Sequence, residues 1–531
     1  MNATTSGRHP KGLPYLFLTE MWERFGYYLM LGIFSLYMLD GWDNGGMGFD
    51  AVKKSDIYGT YLGLVYLTPF IGGLLADRVF GYRKSIIFGG LLMAVGYFTL
   101  SIHNTTAFYV ALLLIILGNG FFKPNISTLL GNLYNKEAYK DNKDAGYNIF
   151  YMGINIGAFV CNFIAAFMRN NYGWNWAFIA AGVGMLIGVL VFISGSAKVK
   201  EGDIRKPLEK GDMSTAKILG MTVLPMFIFG IIGYLIPGNI LGSDTNDAFI
   251  FGCIPVIGFF VYLFIKANEE EKRPIGALLA VFGCLIIFWA VFHQNGDALT
   301  VWAKDYTDRT ISGESGKTLA DIGFAQEVTN NGSQTDVTSA HYFQNLPASE
   351  MPAEGKSLRL ISTELYQSIN PFWVVLLTPV VVGFWGFLRK RKKEPTTASK
   401  ITIGLVITAL SALVMVGAVL STNDLSVKAS SFWLIASYGV ITLGELCLSP
   451  MGLSLVSKLS PPRITALMMG GFFLSTAVGN KLSGMLSGLW ERFDAKQNFF
   501  LMNFGLALAA AFMLFLLLPF LNKVMKEKGL H

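Results

Sequence analysis

A chain of 531 residues with only 15% charged side chains and 53% hydrophobic ones falls well short of the roughly 25% charge typical of soluble domains. The net charge of +7 does not point to nucleic acid, because the Lys and Arg residues sit in short segments between apolar blocks. Those blocks run to about twenty residues, the length that crosses a hydrocarbon core of roughly 30 Å, so an all-α membrane protein is expected.

The N-terminus, Met1 to Leu13, is polar and has no cleavable signal pattern, so the first block is read as a retained helix. Six spans follow in order, at 14–39, 55–76, 84–102, 107–132, 145–168 and 173–195. Together, 14–195 reads as an N-terminal six-helix bundle. A basic cytoplasmic linker, 196–215, leads to two additional transmembrane helices, 216–237 and 247–266. A second six-helix bundle fills 273–522, with spans at 273–303, 367–388, 399–420, 430–456, 464–490 and 498–522, for fourteen in all. Its outer loop, 304–366, is rich in Ser, Thr, Asn and Gly and reads as mobile or lightly structured, with partner binding or substrate capture as the lesser alternative. The densest basic clusters, at the linker and at Arg389 to Lys393, fall on one side, which places both termini in the cytoplasm. Cys161, Cys253, Cys284 and Cys447 lie inside apolar blocks without paired spacing and read as small packing residues.

Six, two and six helices fit the major facilitator architecture, in which substrate binds between two rocking bundles. The segment Gly73-Leu-Leu-Ala-Asp77-Arg78-Val-Phe-Gly81-Tyr-Arg83-Lys84 resembles that superfamily's cytoplasmic signature. Asp77, Arg78, Arg83 and Lys84 are therefore candidates for a cytoplasmic gate that holds the inside-closed state.

Ionisable residues inside apolar helices carry the most information, since each costs about 2.5–3.5 kcal/mol at mid-bilayer on insertion scales. On the first helix, Glu20, Arg24 and Tyr28 form one stripe with Glu23 and Tyr27 at its shoulder. The alternative is a structural ion-pair network that only locks packing. Lys123 lies in Gly118-Asn-Gly120-Phe-Phe-Lys123-Pro124-Asn125 and needs an anion; Glu20 and Glu23 are the expected partners. Tyr151 and Asn155 share one face of the fifth helix, Trp289 and His293 one face of the ninth, and Glu445 and Ser449 one face of the twelfth, while Asn370 precedes Pro371. Their similar depth on several helices points to a common polar cavity.

These segments, with Asp144-Ala-Gly-Tyr-Asn-Ile-Phe-Tyr-Met-Gly-Ile-Asn155, Gln367-Ser-Ile-Asn370-Pro and Gly444-Glu-Leu-Cys-Leu-Ser-Pro-Met-Gly452, resemble the proton-dependent oligopeptide transporter family, whose bacterial members also carry two extra helices. The resemblance implies import of di- and tripeptides with protons as the coupling ion and no cofactor. Glu20, Glu23 and Arg24 would couple protons, with Lys123 as their cationic partner and Glu445 and His293 contributing. Arg24 and Lys123 would attract the peptide carboxylate; Glu445, Asn155 and Asn370 would receive its amino end. Tyr28, Tyr66, Tyr151 and Trp289 would line side-chain pockets, with Ser449 and Phe472 beside them. The implied setting is a functional monomer in the lipid bilayer of a bacterial inner membrane. Three departures stand out: Leu31 replaces a second arginine, His293 an acid, and Phe472 a tryptophan. His293 is expected to take over part of the lost acid's titration, or else to serve as a neutral hydrogen-bonding group. Lys481 is a cation without an evident partner, expected to snorkel outward or to replace the charge missing at Leu31. The rivals are the same fold carrying nitrate, another anion or a peptidomimetic, and a peptide-sensing receptor. No metal-ligand cluster or nucleophile motif supports an enzyme.

Overall fold

The computed structural model describes residues 9–139, 142–204, 214–330, 342–461 and 464–528; parts of the linker and of the outer loop lie outside these. Among the described residues are fourteen long helices. In the first bundle these are α1 (Leu13–Leu39), α2 (Ala51–Leu75), α3 (Tyr82–Leu100), α4 (Thr105–Tyr134), α5 (Lys143–Tyr172) and α6 (Trp174–Gly195). The additional pair is α7 (Thr215–Leu235) and α8 (Asp244–Lys266). The second bundle comprises α9 (Glu269–Phe292), α10 (Ile369–Lys390), α11 (Thr397–Ser421), α12 (Ser431–Leu459), α13 (Thr465–Ser487) and α14 (Lys496–Glu527). The two-bundle fold with two added helices is the one expected. Eleven described spans are long and apolar enough to cross a membrane.

Local chemistry sets many of the boundaries. Asp50 caps α2 by accepting from the Lys53 amide at 2.8 Å, and Asn104 caps α4 through the Thr106 and Ala107 amides. Ser214, Ser243, Asn268 and Thr396 do the same for α7, α8, α9 and α11. Each cap satisfies amides that would otherwise have no partner at a helix start.

The end that carries the basic segments 196–202 and 389–393 is called inner here, the opposite end outer. Within the first bundle α1 packs on α5 and α6, and α3 on α4; within the second, α11 packs on α12 and α14, and α9 on α13. The bundles meet along α2 with α13 and along α5 with α10. At the closest crossing a Cβ on Gly59 would stand 2.9 Å from the Gly484 Cα, so only glycine fits.

Two expectations are corrected. The span 273–303 is present as one membrane-length stretch, Glu269–Asp305, but its helix changes type: α9 stops at Phe292, and a 3₁₀ turn (His293–Gly296) is followed by short helical turns to Tyr306. The outer segment 304–366, expected to be mobile or lightly structured, is folded over its described residues. Strands β2 (Ala325–Thr329) and β3 (Ser357–Ile361) pair antiparallel, and β1 (Thr307–Asp308) pairs in parallel with β4 (Ala429–Ser430). Leu360 is fully buried there with Tyr342 and Leu346, giving the cap a small core of its own.

The outer ends are sealed. Lys54 pairs with Asp297, both buried, and Ser35 Oγ donates to the Gly296 carbonyl at 2.6 Å. Arg169 bonds Glu364 at 3.0 Å, and Asn162 donates to Ser368 at 3.1 Å. By contrast, no described hydrogen bond or ion pair joins the inner halves of α4 and α5 (residues 120–135 and 145–157) to α12 or α13. The described bonds that join the two bundles thus cluster at the outer end.

Candidate functional site

Three charges lie on α1 in one buried knot. Arg24 donates to Glu23 through two nitrogens, the Nη2 bond to Oε1 measuring 2.8 Å, and its Nε stands 3.2 Å from Glu20. The i, i+4 spacing puts Glu20 and Arg24 on one helix face, and the adjacent Glu23 completes a forked contact. Glu20 Oε2 is buried with no partner, and the guanidinium lies 5.0 Å from the Tyr27 ring centre.

Lys123 does not make the expected ion pair. Both acids are taken by Arg24, and among the described residues no carboxylate lies within 4 Å of the ammonium. Its Nζ sits instead 3.7 Å above the Tyr66 ring, a cation–π contact, while still interacting electrostatically with Glu20, Glu23 and Arg24. A cation held by a ring face keeps hydrogens free for another anion.

From the second bundle, Glu445 faces this group. It accepts from Asn370 Nδ2 at 3.3 Å, and the same amide bonds Thr442 at 2.9 Å. Glu445 interacts electrostatically with Tyr28, Tyr66 and Tyr151, which come from α1, α2 and α5. Acid and base residues from opposite bundles therefore share one chamber rather than separate lipid-facing surfaces. Its walls are aromatic: the Tyr66 and His293 ring centres are 5.9 Å apart, and Trp289 and His293 are 5.2 Å apart. Trp289 Nε1, His293 Nδ1 and Ser449 Oγ are buried and have no described partner. Tyr151 is 52% exposed.

Other expected residues are placed differently. Asn155 donates to its own helix at the Tyr151 carbonyl, 3.0 Å away, rather than to Glu445. Phe472 is buried inside the second bundle, packed near Phe282 with a centroid distance of 6.3 Å, so it does not line the chamber as expected. Lys481 neither snorkels nor replaces the missing charge on α1. It is fully buried and bonds Asp56 at 2.5 Å and Thr60 at 2.6 Å, across the bundle interface.

At the inner end, Asp77 and Arg78 occupy a wide turn that Gly81 ends with a left-handed φ of 83°. Arg83 bonds Ser196 at 2.8 and 2.6 Å, and Asp203 accepts from the Tyr82 and Arg83 amides. Arg83 thus braces its own bundle against the linker, while Lys84 is exposed.

Sequence reasoning missed Lys54, Asp56 and Asp297. Asp297 lay inside a proposed span, so the cost of an intramembrane acid was already a signal for it.

Two helix bundles that enclose buried acids, bases and aromatic rings and are bonded together at the outer end define a membrane transporter of the two-bundle class. The model of the POT family matches residues 83–318 and 342–505. The uncharacterized transporter YclF of Bacillus subtilis (strain 168) is 31% identical over 98% of this chain and 95% of its own length. A di-/tripeptide transporter of Lactococcus lactis subsp. lactis (strain IL1403) is 31% identical over 91% of this chain and 90% of its own. Among solved structures, a mutant of peptide transporter POT in complex with alafosfalin is similar at a TM-score of 0.78 and 30% identity, covering 98% of this chain and 96% of that one. The chain belongs to the POT family. It is a membrane transporter, not an enzyme.

Proposed function

We propose that this chain imports di- and tripeptides together with protons by alternating access, in a bacterial inner membrane, as a monomer with both termini in the cytoplasm. One observation supports the reading most: the Tyr66 ring lies 3.7 Å from the Lys123 ammonium and within electrostatic reach of both Arg24 on the first bundle and Glu445 on the second. A short zwitterion has opposite charges at a fixed separation, and a chamber basic on one wall and acidic on the other orients it. Relatives that carry the names of di-/tripeptide transporters, and a neighbour solved with alafosfalin, support the same cargo class.

The coupling follows from who holds Arg24. Glu20 and Glu23 occupy its guanidinium while both are ionised; a proton on either weakens that hold and frees donors for the peptide carboxylate. Lys123, resting on Tyr66 without a carboxylate, completes the anion site. Proton and peptide then favour the same rearrangement. One charge moving through 100 mV is worth about 2.3 kcal/mol, roughly forty-fold accumulation. In the opposite state Asp77, Arg78, Arg83 and Lys84 close the inner end. His293, beside Trp289 and Tyr66, lines this site.

A carrier of nitrate or another plain anion would have no use for Glu445. Uptake of labelled dialanine into proteoliposomes, competed with N-acetylated and C-amidated dialanine, separates the readings. The proposal expects both blocked peptides to compete poorly; strong competition by the N-acetylated form would favour the anion carrier.

A further inference from the structure

The residues that close the outer end are not those of the chamber, and they involve a third body. Lys54 and Asp56 stand two residues apart on α2, and both cross to the second bundle. Lys54 pairs with Asp297 in the broken stretch after α9, and Ser55 also donates to Asp297, at 3.2 Å. Asp56 pairs with Lys481 on α13. Charges alternate along the seam, base to acid and then acid to base, so neither bond can slip to the neighbouring register without placing like charges together.

Asp56 has a second partner. Its Oδ2 accepts from Thr245 Oγ1, at the outer start of α8. Farther along, α8 touches both bundles through glycine notches. Phe249 fills the space beside Gly63 of α2, where a Cβ would lie 2.7 Å from the ring. Phe260 does the same at Gly471 of α13, and Phe264 at Gly276 of α9, each at 2.9 Å. The hairpin α7–α8 thus straddles the bundle interface and is hydrogen-bonded to the residue that closes it.

We infer that the α7–α8 hairpin is a working part of the outer gate, bracing Asp56 so that the crossed pairs Lys54–Asp297 and Asp56–Lys481 hold the outer end shut. When α2 parts from α13, Asp56 must release Lys481, and α8 cannot keep both Thr245 on α2 and Phe260 on α13. The hairpin therefore biases the resting protein toward the outer-closed state and adds to the barrier that substrate binding must overcome.

The inference rests on the alternating-access reading, but its test does not depend on which solute is carried. Spin labels at Val52→Cys and Phe432→Cys, both exposed near the outer ends, report the opening in lipid nanodiscs. The four buried native cysteines are replaced by serine for this purpose. Lys481→Met is expected to raise the long-distance population at least about tenfold, and Thr245→Val to raise it by a smaller factor in the same direction. The exchange Asp56→Lys with Lys481→Asp restores the pair in reverse and returns the short distance, which distinguishes gating from loss of folding. An unchanged distance distribution in Thr245→Val overturns the role of the hairpin, and an unchanged one in Lys481→Met overturns the gate itself.

Discussion

The outer seam and the central chamber both bury charge, but they treat it oppositely. At the seam Lys54 and Lys481 each have a carboxylate of their own on the facing bundle, and the surrounding serine and threonine hydroxyls add further bonds. In the chamber Arg24 is contested by two acids, and among the described residues Lys123 has no carboxylate and Glu20 Oε2, Trp289 Nε1 and Ser449 Oγ have no partners. A lysine with a carboxylate of its own stabilises one arrangement, even though Asp297 Oδ2 has no described partner. An unsatisfied set waits for something to complete it. The molecule spends its paired charges on holding a state and its unpaired ones on recognising a passenger.

That contrast is open to direct attack, and the largest effect is expected in the chamber. Lys123→Ala should lower proton-driven dialanine uptake by roughly a hundred-fold or more, because a charge-bearing group aimed at the transported carboxylate is lost. The protein should still reach the membrane with near-normal thermal stability, since no ion pair is broken. A large stability loss would mean that Lys123 is structural after all.

At the seam the balance reverses. Asp297→Asn strands Lys54 in a buried setting, for which a loss of about 3–5 kcal/mol is expected. The melting temperature in detergent measures it. The apolar double replacement Lys54→Met with Asp297→Leu should recover most of that loss, while still weakening the outer closure. If the single variant melts like the parent protein, the seam is not dry.

Smaller still is the effect of Glu445→Gln, which keeps the Asn370 contact and removes only the charge. It should raise the KM for dialanine roughly ten-fold, about 1.4 kcal/mol, and leave an N-acetylated peptide unaffected. Equal loss for both peptides would remove Glu445 from amino-end recognition.

The smallest expected effect lies outside the membrane, in the folded cap. Burial pushes Lys428 down to about 7, partly opposed by the nearby Asp305 carboxylate, while its ammonium bonds the Asp305 carbonyl and Asn345 and lies 4.0 Å from the Tyr342 ring centre. The unfolded segment therefore binds more protons than the docked one between about pH 7 and the ordinary lysine value, so docking strengthens as pH rises through that window. The protection factors of amides in residues 342–361, corrected for the base-catalysed intrinsic exchange rate, should be lower at pH 6.5 than at pH 9, and Lys428→Met should flatten the difference.

Much of this was written in the chain, and the reasons it was legible are physical. Glu20, Glu23, Arg24, Lys123 and Glu445 stood out because charge in an apolar block is costly; Arg24 bonds both acids of α1, and Tyr66 lies against Lys123 and within electrostatic reach of Glu445. The partner of Lys123 was not legible, because helix periodicity cannot show that Arg24 already engages both acids. Phe472 was assigned a lining role by position on its helix, yet the rotation of α13 turns it toward Phe282. Lys481 had no visible partner because Asp56 lies more than four hundred residues away, at the edge of a different helix. The fold of 304–366 escaped notice for a related reason: its short strands pair across a polar, low-periodicity segment, and its burial comes from Tyr342, Leu346 and Leu360, too few to form a pattern.

The idea beneath all of this is that an incomplete set of charges in a wet chamber is completed by a peptide and a proton arriving together. Vesicles containing the purified protein and a luminal pH dye, held at equal pH on both sides, test it most directly. Adding dialanine outside, with the membrane potential clamped negative within, should acidify the lumen at a rate that Lys123→Ala abolishes. Dialanine entry with no acidification, or acidification that persists in Lys123→Ala, would contradict the account.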